Sequence, residues 1–448
     1  MKRYFLSFLL VLGSLGIYAQ IPNGSVLIQN GTVLTITQGT RKNTDVLILE
    51  GKIAKIGTDL KAPKGVKVID AEGLFVMPGI IDAHSHIAID AVNEMTSPVT
   101  AEVWTGDALN PFHISIYRAL AGGVTISHAM HGSANAIGGQ NETIKHRYGV
   151  TDPELLRMKN ATRTIKFALG ENPTRVHGKY HNVPPKSRMG VEAVIRNAFE
   201  EALAYQKKWK EYKQQGGNGI APEYNLRLQT LVDILNGEVM IHCHSYRADE
   251  ILMLMQVCED YGIKKICFQH VNEGFKIAPE LAKFGAYASV FSDWWAYKFE
   301  VYYSTAYNAA ILTNNGVTTS INSDSDELIR HLYHEAAKTQ KYGELSDEQA
   351  LAMITINPAK QLGIDQRVGS IEVGKDGDIA IFKNHPLSIY AIPQMTLVDG
   401  ILHFDIHNDP DDMRVYVNPE EDIDTANFDD HGHDHKCLQG LELFLGEK

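Results

Sequence analysis

The sequence predicts an α/β protein: a (β/α)8 TIM-like barrel in the middle of the chain and a small composite β-sandwich formed by its two ends. Three observations carry this. Strand-like and helix-like runs alternate between residues 79 and 366, β-rich runs flank that stretch on both sides, and residues able to ligate a metal close successive strand-like runs in the order His84, His86, His242, His270, Asp324.

The chain has 448 residues and a formal net charge of -12. No basic stripe suited to phosphate backbones is visible, so nucleic acid is not an expected partner and a small molecule or short peptide is. Lys2 and Arg3 precede the apolar run Tyr4 to Tyr18, and Ala19 offers a small residue for cleavage, so residues 1–19 read as a signal peptide. The run is short for a membrane span of about 20 residues. The expectation is an exported protein, periplasmic or extracellular, without stable membrane insertion; a homo-oligomer is compatible with the sequence. Cys243, Cys258 and Cys267 sit in apolar segments and Cys437 in a polar tail, which does not describe a disulfide framework.

Residues 20–78 form the first part of the sandwich, with short runs at Val26 to Ile28, Val33 to Ile36, Val46 to Leu49 and Lys52 to Gly57 separated by Asn-Gly and Glu-Gly turns. Residues 367–403 form the second part, with runs at Gly369 to Gly374, Asp378 to Phe382 and Thr396 to Gly400. Between them, the barrel strands are read at Leu74 to Ile81, Gly123 to Ser127, Thr164 to Leu169, Glu238 to His242, Lys265 to Gln269, Ala286 to Phe291 and Gly316 to Ile321. The pattern from Met189 to Gln215 is a long helix with a solvated face. The small, glycine-rich segment Gly132 to Gln140 reads as a pocket-lining loop. Residues 404–448 form an acidic tail whose His431-Gly432-His433-Asp434-His435-Lys436-Cys437 run could bind a transition metal without a fixed geometry.

His84 and His86 lie two apart, so on a strand their imidazoles face the same way and make half a metal site. His242 and His244 repeat the spacing, and His270 and Asp324 follow later strands. Imidazole nitrogen with carboxylate oxygen suits zinc or a similar divalent ion, with one position open for water. Water on such an ion has its pKa lowered towards ~7, and Asp324 beside it could accept its proton and return it to the leaving atom. Weaker substrate-binding candidates are His244, Arg247 and His131, with His128, Glu273, Lys276 and the pair Trp294-Trp295 behind them; for the tryptophans a core role is the plainer reading. Asp82 is expected to orient a ligand histidine.

Pro78-Gly79-Ile80-Ile81-Asp82-Ala83-His84-Ser85-His86 resembles the first-strand motif of the amidohydrolase superfamily. Asn357-Pro358-Ala359-Lys360-Gln361-Leu362-Gly363 and Gly369 to Asp378 are similar to the segment where that family leaves its barrel. The stretches Gly132 to Gln140, Leu169 to Pro173 and His242 to Ile251 resemble its secreted, imidazolonepropionase-like branch. The likeness spans residues 25–402. It implies a distorted barrel, one or two divalent ions, and hydrolysis of amide or related C-N bonds. It also implies His84, His86, His242 and His270 as ligands and Asp324 as ligand and proton shuttle. The fourth-strand position, a carboxylated lysine or a glutamate in the family, falls to Glu171 or Lys166; Glu171 is preferred because it stands at the strand's C-terminal end. A metallo-dipeptidase cutting a C-terminal peptide bond, with Arg247 receiving the carboxylate, is the alternative, and a non-catalytic metal-containing binding protein is the rival from another class.

Overall fold

The β-rich ends of the chain do meet. In the computed structural model, which describes residues 24–294, 297–408 and 412–414, they build one continuous eight-stranded sheet. Its strands are β1 (Val26–Leu34), β2 (Thr40–Leu49), β3 (Lys52–Gly57), β4 (Lys67–Asp70) and β5 (Leu74–Pro78), then β14 (Ile379–Lys383), β15 (Ile392–Val398) and β16 (Ile401–Asp405). The order is β16-β15-β14-β5-β1-β2-β3, with β4 also on β1. Val26, Ile28, Val46, Ile48, Val76, Ile379 and Ile381 fill a core of its own. The expected signal peptide, Trp295 and the histidine run after residue 430 lie outside the described residues.

Three local readings change. Val26 to Ile28 and Val33 to Ile36 are not two strands around a turn. Asn30 takes a φ of +63° and the register shifts at Gly31, so Asn-Gly makes a bulge in one strand that pairs with β2 throughout. Glu50 and Gly51, at φ +51° and +78°, do make the expected two-residue hairpin between β2 and β3. Gly369 to Gly374 is no strand; it holds the sheet through single backbone bonds from Ile371 to Thr35 and from Gly374 to Ile53. The tail begins later than expected, because Phe404 and Asp405 belong to β16.

The second sheet is the barrel: β6 (Ile80–Ser85), β7 (Val124–Ala129), β8 (Ile137–Lys145), β9 (Arg163–Ala168), β10 (Val239–Ser245), β11 (Ile266–His270), β12 (Tyr287–Val290) and β13 (Thr319–Ile321), neighbouring in that order. β6, β7, β10 and β11 are buried along their whole length, as strands covered on both faces must be. The sheet is not wholly parallel. β8 runs antiparallel to both β7 and β9, so part of the expected Gly132 to Gln140 loop is instead the third strand. Gly138 and Gly139 are needed there because a Cβ at Gly138 would stand 2.7 Å from His131 Nδ1 and one at Gly139 would stand 2.6 Å from Val103. The seam between the last and first strands is made by Asp324 N–H donating to the His84 carbonyl at 3.0 Å.

Outside the barrel, the helix Arg188–Gln214 buries Val191, Ile195, Phe199, Ala202 and Tyr205 along one stripe, and the Ser187 side chain caps its first turn. No helix among the described residues is long and apolar enough to cross a membrane.

Where the chain passes from the end sheet into the barrel, Gly79 lies against Thr125, whose Cβ would be 2.7 Å from any Cβ placed there. Gly79→Ala is expected to destabilise the protein by about 1–3 kcal/mol, because Thr125 is fully buried and β-branched and has nowhere to move. Urea denaturation of the variant checks this, and an unchanged midpoint would show the junction to be loose.

The two sheets are also tied by charge. Lys145, at the end of β8 and fully buried, reaches Asp376 Oδ2 at 2.7 Å, Asp378 Oδ2 at 3.0 Å and Asp399 Oδ1 at 2.5 Å. Arg367 and Lys52 add to Asp376, and Arg147 to Asp399. Burial works to raise the Asp376 carboxyl, yet Lys145 and its companions hold it down at about 2.

Candidate active site

The C-terminal ends of the barrel strands gather the expected histidines. His84 Nε2 and His86 Nε2 stand 3.2 and 3.0 Å from Asp324 Oδ1, and His270 Nε2 stands 3.8 Å from Asp324 Oδ2. His84 and His270 have ring centroids 4.7 Å apart. His270 and Asp324 sit at φ +71° and +49°, left-handed conformations that cost non-glycine residues roughly 1–2 kcal/mol. His270 turns its side chain into the cluster from the last position of β11, and Asp324 from just beyond β13. His84 is fully buried, and burial, with Lys166 beside it, holds its imidazole well below the usual range and therefore neutral.

Gln269 was not anticipated. Its Oε1 is 3.2 Å from His84 Nδ1 and its Nε2 is 3.0 Å from His242 Nδ1, so one amide lies between two of the histidines and fixes their rings. With His84 donating from Nδ1, its Nε2 lone pair faces the cluster. The strand pattern hid this role: Gln269 and His270 are consecutive and should face opposite ways, but the positive φ at His270 breaks the alternation. His86 is fixed in turn by Nδ1 donating to the Met130 carbonyl at 2.8 Å.

The fourth strand brings Lys166, not Glu171, to this cluster. Lys166 pairs in register with His242 across β9 and β10, and its Nζ is 3.0 Å from His84 Nε2. Burial pulls its ammonium down to about 8. Gly170, at φ +80°, turns the chain away immediately after β9. Glu171 is therefore carried outward, where its carboxylate faces Lys298 at 3.6 Å and its N–H donates to Glu300 at 2.9 Å.

The weaker candidates divide. His244 is fully buried beside His270, with ring centroids 4.8 Å apart, and belongs to the cluster's wall. His131 is a framework residue: Nε2 accepts from Glu94 N–H at 2.9 Å and Nδ1 donates to the Gly132 carbonyl at 3.0 Å, so neither nitrogen is left for a substrate. Arg247 points to solvent in a two-bond pair with Asp249 at 3.0 and 2.8 Å. His128 bonds Ala83 and Thr164, and Glu273 pairs with Lys276. Asp82 does not touch a histidine ring; it accepts from the backbone of His84 and from the Ser323 backbone and hydroxyl, which fixes the residue before Asp324. Burial raises its carboxyl to about 7. Trp294 stacks on Phe291, which stacks on His270, so it walls the site rather than the core.

The donor chemistry suits a divalent ion. His84, His86 and Asp324 each offer a ligand atom within 4.8 Å of the others, and His242 Nε2 is buried with no hydrogen-bond partner. A buried polar atom without a partner is costly unless something completes it.

Residues 301–416 match the sequence profile of the amidohydrolase family. An amidohydrolase from Thermotoga maritima MSB8 superposes with a TM-score of 0.79 at 34% identity, covering 85% of this chain and 100% of that one. The chain belongs to the amidohydrolase family. It is 33% identical over 393 residues to the amidohydrolase tasK of Hapsidospora irregularis, a match that takes in 81% of this chain but 40% of tasK, so the chain spans well under half of that relative. Similarity to the imidazolonepropionase of Thermoplasma volcanium is 24% over 353 residues, 76% of this chain and 84% of that protein.

Proposed function

We propose that this protein is a metal-dependent hydrolase of amide or related C-N bonds in a small molecule, exported as its first 19 residues suggest, with Asp324 moving the proton. The convergence of His84 and His86 on Asp324 beside the buried amine of Lys166 is the observation that carries this reading. His84, His86, His242 and His270 would hold zinc or a similar ion, with Lys166, as its carbamate, bridging if there are two. When bound, such an ion supplies Lewis acidity and brings the pKa of a water towards ~7. Asp324 Oδ1, held by its strained backbone at the barrel's mouth, takes the proton of the attacking water and delivers it to the departing nitrogen. Gln269 keeps His84 and His242 in orientation, and Asp82 keeps Asp324 in place through Ser323.

The peptide-bond alternative relied on Arg247, which Asp249 occupies. Lys298, whose Nζ lies 4.3 Å from the centre of the Tyr246 ring, itself stacked on His270, is likewise paired, with Glu171 and Glu300.

Metal analysis of the purified protein together with a panel of lactams, N-acyl amides and dipeptides tests the proposal. Two ions per chain are expected in the native protein and at Glu171→Gln, and at most one at Lys166→Gln. A Lys166→Gln protein that keeps both ions while Glu171→Gln loses one would restore Glu171 as the bridge. A metal-loaded protein that cleaves nothing in the panel would point to a binding protein.

A further inference from the structure

Between the long helix Arg188–Gln214 and the helix that follows it, Leu226–Leu235, lies a cleft of about 800 Å³ that the proposed chemistry does not use. Helical spacing builds one wall from two neighbouring rows: Tyr205, Trp209 and Lys213 stand four residues apart in one, and Gln206, Lys210 and Gln214 in the next. Val232 and Asn236 line the cleft from the second helix and its end, and Asn236 Oδ1 accepts from Gln206 Nε2 at 3.0 Å. Tyr224, 61% exposed, lines it from the connection between the helices. A cleft of this size takes a small organic molecule.

The lining is chemically one-sided. None of its side chains is acidic, although the chain as a whole carries a net charge of -12. Lys210 and Lys213 make no ion pair or hydrogen bond with any described residue, whereas Lys207, which does not line the cleft, is answered by Glu211 at 3.9 Å. Two lining residues also hold polar atoms with nothing to bond: Tyr205, only 6% exposed, buries its Oη without a partner, and Trp209 buries its Nε1 in the same way. A buried donor left unpaired is costly, and an acceptor brought by a ligand removes that cost. Both atoms are covered by neighbouring side chains, so they meet a ligand through the side-chain adjustment that commonly accompanies binding. The rings of Tyr205 and Trp209 meet edge to face, with centroids 6.3 Å apart, and present an aromatic wall.

We infer that this cleft is a binding site for a small aromatic carboxylate, sharing no residue with the histidine cluster. Each part of that ligand answers something in the lining. The two ammonium groups without counter-ions select an anion, the rings of Tyr205, Trp209 and Tyr224 select a flat apolar body, and the two unpaired donors supply hydrogen bonds to its oxygens. No guanidinium lines the cleft, so it lacks the planar fork that favours phosphate. The inference stands apart from the C-N hydrolase reading and neither needs nor supports it.

Calorimetric titration of the full-length protein with 2-naphthoate, and with the neutral 2-naphthamide as its uncharged counterpart, tests this. Lys210→Gln/Lys213→Gln alters two exposed side chains and is expected to fold. It should weaken 2-naphthoate binding about tenfold, leave the weaker binding of 2-naphthamide as it is, and leave any hydrolytic activity unchanged. Acetate, which has the charge and no ring, should not compete with 2-naphthoate. Tyr205→Phe removes a buried hydroxyl that has no partner, so it should weaken 2-naphthoate binding severalfold without lowering the urea midpoint. A lowered midpoint would show that the hydroxyl serves the fold and would count against the site. Failure of 2-naphthoate to bind, or equal affinity in the wild type and the lysine variant, would overturn it; the second result would place the anion at the histidine cluster instead. Equal affinity of the wild type for 2-naphthoate and 2-naphthamide would overturn it as well, because the lysines would then select nothing.

Discussion

Asp324→Asn should lower kcat by about 10²–10⁴-fold on any substrate the protein turns over, while the variant stays folded and retains metal. The amide preserves the shape of the side chain and the backbone bond from Asp324 to His84, so the barrel's seam is kept. It removes the negative charge that His84 and His86 both face and with it the ability to take up and return a proton. A steady-state assay with metal content measured on the same sample decides the matter. Turnover within a few-fold of the native protein, with metal bound, would sink the proton-shuttle role.

Lys145→Met should destabilise the protein by about 3–5 kcal/mol at neutral pH, since it leaves the buried Asp378 facing Asp376 and Asp399 with no cation of its own and takes one cation from each of those two. The pH dependence has a definite sign. Asp376 ordinarily titrates at 3.8 and is held at about 2 in the folded chain, so the stability it contributes is complete above about 4 and is lost as pH falls towards 2. Asp378 is pushed up by burial, and losing Lys145 would push it further. The gap in unfolding free energy between native and Lys145→Met protein should therefore be widest above pH 4 and close on acidification. A gap that does not change between pH 7 and pH 3 would show that Lys145 acts through packing alone.

Much of the site was legible because its signals are local. His84 and His86 share a face by spacing, and His242, His270 and Asp324 each close a recognisable strand. The fourth-strand choice failed to be legible because it turns on one dihedral: Lys166 and Glu171 are both near the strand's end, and only Gly170 at φ +80° sends Glu171 out to Lys298 while Lys166 stays inside. Gln269 was hidden by the same kind of exception at His270. In the fold, the third barrel strand escaped because Gly138, Gly139, Gln140 and Asn141 carry little strand propensity and are set by the close approach of His131 and Val103. The end sheet was easier, because its runs are long, apolar and punctuated by residues that favour positive φ.

The seam of the barrel and the reacting group are one place. Asp324 joins the last strand to the first through His84, and the neighbouring Ser323 joins Asp82 across 241 positions of sequence. Contacts of such separation form late in folding, after the intervening loop has been closed. Activity in this chain is thus an all-or-none report of completed closure. A ribosome-bound or truncated chain that ends before residue 323 would hold most of the imidazoles and still have neither a sealed cylinder nor a working centre.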